Sequence, residues 1–422
     1  MQKVDKIAVW GCGYIGLSTM LYYARKEVKS IGVDIDSRKV ELINKGICPV
    51  ERLEKWLGFE LKPYIDAEYI KVTTDYREAL DVDIHFIAVN TEKNEKPCYD
   101  AIEDVVSKIP EDKLVIIEST LAPNIADEII LKKLKRVCIA PRRDWFTIEW
   151  EKKLPYMPRV YGATDNKTAD EAEEILSIVC KNLIRAPNYR YAEMVKSVEN
   201  MLRHIHIAVA KQLSIAYPNF DINKVLELAS TKWNIERYYV AIRTGGYCIS
   251  LATNCILEGT KYPESLSILK EAKEQESTTV IHTVTSLLNR IKKIEEKKVA
   301  VLSLCYLGDI AVDIGSPTVY LVPILQRNNV RVGVNDIYFS EEYIKCKFDN
   351  IDFIKFPDGL KDYNAIIVVA NHKVYDIPFD TLIKYLNKCK VILDNHGIWE
   401  KYREKFKKHG IDYHRIGDAG WL

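Results

Sequence analysis

Three groups of residues in this chain have types and spacing suited to chemistry. Residues 243 to 254 read RTGGYCISLATN, setting Cys248 behind Gly245, Gly246 and Tyr247 in a run with no proline and no acidic residue. Such a thiol is either a nucleophile or a small buried side chain behind a glycine turn. Spacing alone favours the second, because free cysteine is among the most buried residue types. AEMVKSVEN places Lys196 and Asn200 four apart in a helical pattern, so both project from one face and can converge on one oxygen. The alternative is a solvated lysine and a surface asparagine. GCGYIG supplies Gly11, Gly13 and Gly16 around Tyr14 and Ile15, directly after the strand-like KIAVW and before the helical LSTMLYYARK. In that context the first glycine permits a tight turn, the second lets backbone approach a pyrophosphate, and the third packs helix on strand. Asp34 ends the next apolar run, SIGVD, where a carboxylate would accept the ribose hydroxyls of NAD and repel the extra phosphate of NADP. Arg38 and Lys39 follow it, either as cofactor-side cations or as solvated helix residues.

The elements that must position these groups are legible from periodicity. From Lys6 to about Ile184, short β-branched runs (KIAVW, SIGVD, DIHFIAV, KLVIIES, RVCIA) alternate with helical patterns, the signature of a parallel sheet covered by helices. From Tyr191 to about Glu296 the strand runs vanish, and AEMVKSVENMLRHIHIAVAKQLSIA reads as one long helix. Alternation returns at KKVAVLSLCYLG, with a helix after Ser316-Pro317 and then VRVGVND, AIIVVANH and KVILDNHG. The expected fold class is therefore α/β, with two Rossmann-like parallel-sheet domains, residues 1–190 and 297–422, joined by a central helical section, residues 191–296. Open parallel sheets bind ligands at the carboxyl ends of their strands.

At 422 residues the chain exceeds one ordinary core, which agrees with domains of roughly 100 to 200 residues. With 47% hydrophobic residues, 29% charged and a net charge of +1, nothing suggests a nucleic-acid-binding stripe or a disordered tail. Any anionic ligand must be met by local groups. No segment approaches the roughly 18 to 20 apolar residues of a membrane span, and the start lacks a signal-peptide pattern, so a soluble cytoplasmic protein is expected. The ten cysteines are scattered without a C-x-x-C pair or a histidine at metal-ligand spacing. Neither a disulfide framework nor a metal site is expected.

The order of these motifs resembles the nucleotide-sugar 6-dehydrogenases across nearly the whole chain. GCGYIG is similar to that family's G-x-G-Y-x-G, NKGICPVE to its Asn-x-Gly-x-x-Pro segment, and FIAVNT, ending in Thr91, to its cofactor-side loop. EST at Glu118 to Thr120 resembles its Ser-Thr after a strand, AEMVKSVEN its Ala-Glu-x-x-Lys-x-x-x-Asn, and GGYC the turn holding its nucleophile. The resemblance implies NAD as cofactor, a UDP-sugar as substrate and a homodimer built through the central helix. It implies oxidation of the sugar's C6 alcohol to a carboxylate in two steps, with Cys248 adding to the intermediate aldehyde and water cleaving the resulting thioester. Lys196 and Asn200 would stabilise charge on the C6 oxygen, and Thr120 would position a water, unless it only caps the next helix.

Several positions depart from the family pattern. Ala252 stands where the family has an aspartate four residues after the cysteine, with Ser250 and Leu251 in place of the usual proline and lysine. Pro141 is followed by Arg142 and Arg143 rather than glutamate, Leu307 replaces a lysine, and VDIGSP lacks the family's arginine. Arg142 is a candidate partner for a diphosphate or sugar acid, or a salt-bridge partner of Asp144 or Glu149. Three readings follow: full oxidation of a UDP-sugar, with GGYC leaning toward UDP-glucose; partial oxidation or an unusual nucleotide sugar; or a silent NAD- and nucleotide-sugar-binding relative.

Overall fold

The computed structural model describes residues 4–144 and 149–421. The chain divides into two compact units, Met1–Glu199 with Asn254–Pro263, and Asn200–Thr253 with Glu264–Leu422.

The first unit is built on eight strands: β1 (Lys6–Trp10), β2 (Lys29–Val33), β3 (Ile70–Thr73), β4 (Ile84–Ile87), β5 (Leu114–Ile117), β6 (Arg136–Ile139), β7 (Arg159–Ala163) and β8 (Leu183–Arg185). Their spatial order is β8-β7-β6-β5-β4-β1-β2-β3. Neighbours pair in parallel, except β6 with β7, where Cys138 lies opposite Ala163 in antiparallel register. Strands β1 to β6 thus follow the doubly wound order 3-2-1-4-5-6, whose switch point falls between β1 and β4. The central strands read as unbroken apolar runs because both faces are covered. Val9, Phe86 and Ile116 pack into one core, and Ala8, Ile87 and Val115 into the other. Helix α1 (Tyr14–Ala24) follows β1, and α2 (Ser37–Asn44) follows β2 with Asp36 as its N-cap, accepting from the amides of Arg38 and Lys39.

The long helix of the sequence pattern is α3 (Tyr189–Ala216), beginning three residues earlier than its apolar periodicity suggests. Its residues up to Glu199 belong to the first unit and the remainder to the second. Helix α4 (Cys248–Glu258) likewise contributes to both, and α5 (Ser267–Arg290) belongs to the second.

The second unit carries a six-stranded sheet of β9 (Lys298–Leu302), β10 (Arg331–Asn335), β11 (Asp352–Phe353), β12 (Ala365–Val368), β13 (Val391–Asp394) and β14 (Asp412–Arg415). The order β11-β10-β9-β12-β13-β14 repeats the doubly wound pattern, with every neighbour parallel. Helix α6 (Pro317–Arg327) starts at the Ser316-Pro317 signal, with the Ser316 hydroxyl accepting from the Thr318 amide.

The helical section does not stand apart as a third body. Ala210 of α3 and Val280, Val284 and Leu287 of α5 share one core with Val299, Val332 and Val391 of the second sheet. The apolar stripes of these helices find their burial against that sheet, and so most of the section folds with the C-terminal half.

Candidate functional site

In the first unit, the glycine loop has the geometry its three glycines require. Gly11 adopts φ +89°, and a Cβ there would lie 2.6 Å from the Ala88 carbonyl oxygen of the β4 end. A Cβ at Gly16 would lie 1.8 Å from the Gly11 carbonyl oxygen, so only glycine lets α1 start this close to β1. Gly13 is different: nothing lies within 4 Å of its Cβ position. That gap sits at the N-terminus of α1, where Gly13 supplies no side-chain cap. The first-turn amides of a helix face its N-terminal end, where a pyrophosphate is favourably placed. The cradle therefore fits the diphosphate of a dinucleotide.

Asp34, at the end of β2, is buried and organises the loop. One carboxylate oxygen accepts from the Cys12 amide at 2.7 Å and from Lys39 Nζ at 3.1 Å, the other from the Asp36 amide at 3.0 Å. Lys39 is thus paired with the carboxylate, which agrees with NAD over NADP.

At the ends of β4 and β5 the Thr91 hydroxyl donates to the Thr120 carbonyl at 2.7 Å and the Ser119 hydroxyl to the Val89 carbonyl at 2.7 Å. These bonds tie the two loops together and leave the half-buried Thr120 side chain at the strand end. Beneath them lies a charge network that sequence reasoning did not find. The buried Glu118 carboxylate accepts from Thr19 on α1 at 2.6 Å and from Arg159 on β7 at 2.6 Å. Arg142 joins the same network: its guanidinium holds Asp144 bidentately at 2.7 Å through both bonds and donates to the Thr19 hydroxyl at 2.7 Å. Burial would raise the Asp144 carboxyl, but the charge and hydrogen bonds of Arg142 outweigh it and hold it below its usual range. Arg142 is therefore a structural clamp between the β6 end and α1, with its fork filled by Asp144 rather than presented to a diphosphate or sugar acid. Arg143 pairs with Glu199 of α3 at 2.5 Å.

In the second unit, Cys248 is the exposed first residue of α4. Negative charge on its sulfur would lie at the positive end of that helix's dipole. The turn before it needs both glycines. Gly246 has φ +82°, and Cβ atoms at Gly245 and Gly246 would lie 2.3 Å and 2.7 Å from Tyr306. The Gly246 amide donates to the Ile314 carbonyl at 2.8 Å, and Arg243 stacks its guanidinium 3.8 Å from the Tyr320 ring centre. Tyr247 is exposed beside the thiol. Lys196 and Asn200 lie four apart on α3, hence on one face, with Lys196 in the first unit and Asn200 in the second. Ala252 is buried within α4 and offers no polar group where the family pattern has a carboxylate.

The second sheet also gathers Cys305, Asp336 and His372, whose ligand-type atoms lie within 4.8 Å of one another. Positions 31 and 36 residues apart escape any search by local spacing. Their polar atoms are engaged internally: Asp336 accepts from the Leu304, Cys305 and Tyr338 amides, and His372 Nδ1 accepts from the Asp309 amide at 2.7 Å. Burial would raise the Asp336 carboxyl, but His372 nearby and the amides that donate to it bring it down to about 2. The cluster reads as a strand-end lock of the second sheet.

Residues 5–145 match the NAD binding domain of the UDP-glucose/GDP-mannose dehydrogenase family, and residues 190–278 its central domain. A UDP-N-acetyl-D-mannosamine dehydrogenase of Methanocaldococcus jannaschii is 29% identical over 99% of this chain and 99% of its own length. Its counterpart from Methanococcus vannielii is 27% identical over 100% of this chain and 99% of its own. A solved UDP-D-ManNAc dehydrogenase structure from Pyrococcus horikoshii superposes with a TM-score of 0.84 at 24% identity, covering 98% of this chain and 100% of that one. At that identity the likeness speaks for the fold.

Proposed function

The chain belongs to the UDP-glucose/GDP-mannose dehydrogenase family, and on that premise we propose that it oxidises the C6 hydroxyl of a UDP-sugar to a carboxylate with Cys248 as nucleophile. NAD, held by the glycine cradle and Asp34, supplies the oxidant for both stages. Cys248 captures the sugar carbon at the aldehyde level as a thiohemiacetal and, after the second oxidation, retains it as a thioester until water releases the carboxylate. Lys196 and Asn200 direct a cation and an amide donor at the C6 oxygen, where negative charge develops in each stage. Thr120 positions the attacking water. The observation that supports this reading most is the exposed thiol at the start of α4, behind a glycine turn that no other residue type fits.

The relatives that match end to end are named for UDP-N-acetyl-D-mannosamine, which makes that sugar the first to test, ahead of the UDP-glucose toward which GGYC leans. The test is the number of NADH molecules formed per UDP-sugar consumed. Two per sugar is the expected result. None with any UDP-sugar, despite measurable NAD binding, would overturn the reading. Ala252 favours one second reading, in which oxidation stops at the aldehyde and a single NADH is formed.

We further propose a cytoplasmic homodimer. Ten cysteines without a disulfide suit a reducing compartment. Leu202 and Val209 of α3 and Ile268 of α5 expose apolar side chains in the second unit, and a second copy would cover them. No helix among the described residues is long and apolar enough to cross a membrane.

A further inference from the structure

The segment leading to Cys248 is neither helix nor strand and bends at Ile242, Gly246 and Tyr247. Its buried residues alternate, Val240, Ile242, Thr244 and Gly246. The amides of the first three are each taken by a side chain from a different element. Val240 N donates to Asn223 Oδ1 of the helix Ile222–Ala229 at 3.0 Å. Ile242 N donates to Asn395 Oδ1, just after β13, at 3.0 Å. Thr244 N donates to Glu276 Oε2 of α5 at 2.7 Å. A neighbouring strand would normally supply such acceptors at alternate residues; here side chains replace it.

The last rung is the one closest to the thiol, and it is charged. Glu276 Oε1 accepts from Lys211 Nζ at 2.6 Å and from His204 Nε2 at 3.0 Å, both on α3. Lys211 Nζ also donates to the Thr244 hydroxyl at 3.2 Å, and His204 Nδ1 meets the Thr253 hydroxyl of α4 at 2.8 Å. Lys211 has no exposed surface, and Glu276 and His204 are buried. Thr244 is therefore held at its amide by Glu276 and at its hydroxyl by Lys211. The third member of the cluster, His204, grips the helix that Cys248 begins. Burial would raise the Glu276 carboxyl, but Lys211 and then His204 outweigh it and hold it ionised. Burying such a pair is costly, and removing one member leaves an uncompensated charge. A hydrophobic trio of the same volume would serve packing alone.

We propose that Lys211, Glu276 and His204 are positioning residues that fix the Thr244–Cys248 turn, and so set where the Cys248 thiol stands when C6 reaches the aldehyde level. The inference rests on Cys248 being the nucleophile. Positioning matters at this scale because a displacement of about 1 Å at a reacting group can lower a rate ~100-fold.

The test compares four variants of the full chain. Thr244→Val removes only the hydroxyl that Lys211 holds. Lys211→Met with Glu276→Gln removes both charges together, so that neither is left buried alone, and keeps an oxygen for the Thr244 amide. Cys248→Ser is the reference. For the first two we expect unchanged NAD affinity, KM for the UDP-sugar within about twofold, and kcat reduced ~10-fold to ~100-fold, with NADH per sugar falling from two toward one. Lys211→Arg should restore part of the loss, which a general packing defect would not show. Wild-type kcat and two NADH per sugar in Thr244→Val overturn the proposal, and this variant decides where the double variant does not yield folded protein. If Cys248→Ser itself keeps two NADH per sugar, the nucleophile assignment fails, a result distinct from failure of the positioning cluster.

Discussion

Single residues in the cofactor loop make opposite demands that one substitution each can expose. Gly16→Ala would push a Cβ to 1.8 Å from the Gly11 backbone, where neither atom can give way, and is expected to cost soluble protein as well as NAD binding. Gly13→Ala meets open space, so its fold should survive with an unchanged melting temperature. The loss should appear in NAD affinity, at least about tenfold by titration, because the methyl enters the pyrophosphate's place. Asp34→Ala is expected to lower NAD affinity about tenfold, as loss of a ribose contact. It also frees Lys39 from its 3.1 Å partner, so the NADP-to-NAD ratio of kcat/KM should rise. Roles carried by backbone shape were legible in letters, since glycine at three fixed positions after a strand has few other uses. Arg142 was not, because its neighbour Asp144 was one of several open partners until burial and the bidentate geometry singled it out.

At the scale of elements, the buried parallel strands were readable as apolar runs and the long helix as a 3.6-residue period. The polar interior was harder. On α3, Asn200, His204 and Lys211 follow Lys196 at steps of four, four and seven, one helix face continued. Each polar letter alone looks like a surface residue, and only the step pattern signals a polar seam. His204 and His206 fall on different faces: His204 is buried against Glu276, while the His206 ring lies 4.5 Å from the Tyr238 ring. Near the start of the same helix, Glu193 accepts from the amides of Asn124 and Ala126, capping the turn after β5. Burial raises its carboxyl from 4.5 to about 7, partly opposed by those two amides. Since the folded value lies above the ordinary one, its protonated form contributes stability in full below pH 4.5, and that contribution is lost as pH rises through about 7. Urea unfolding midpoints should therefore fall across this window in the native chain, and Glu193→Gln should flatten that part of the profile. An unchanged slope would show that Glu193 is ionised throughout.

For the whole molecule, two doubly wound sheets were foreseeable from the return of strand runs after a helical interval, and the partition of that interval was not. Helix periodicity tells which face is apolar but not which sheet receives it, and here residues from Asn200 onward, Asn254–Pro263 excepted, group with the second sheet, Ala210, Val280 and Leu287 within its core. The apolar side chains left exposed on that section carry the dimer proposal. Val209→Glu should convert a dimer of about twice 48.7 kDa to a monomer in light scattering, and a wild-type monomer at micromolar concentration would refute it. The central claim concerns Cys248 and is most directly tested by trapping. The enzyme is quenched with acid during turnover of UDP-N-acetyl-D-mannosamine and NAD, and the peptide containing Cys248 is weighed by mass spectrometry. A nucleophilic Cys248 should carry an acyl adduct of the oxidised sugar nucleotide that hydroxylamine removes and that Cys248→Ser lacks. An unmodified Cys248 peptide, together with a Cys248→Ser enzyme still forming two NADH per sugar, would contradict it.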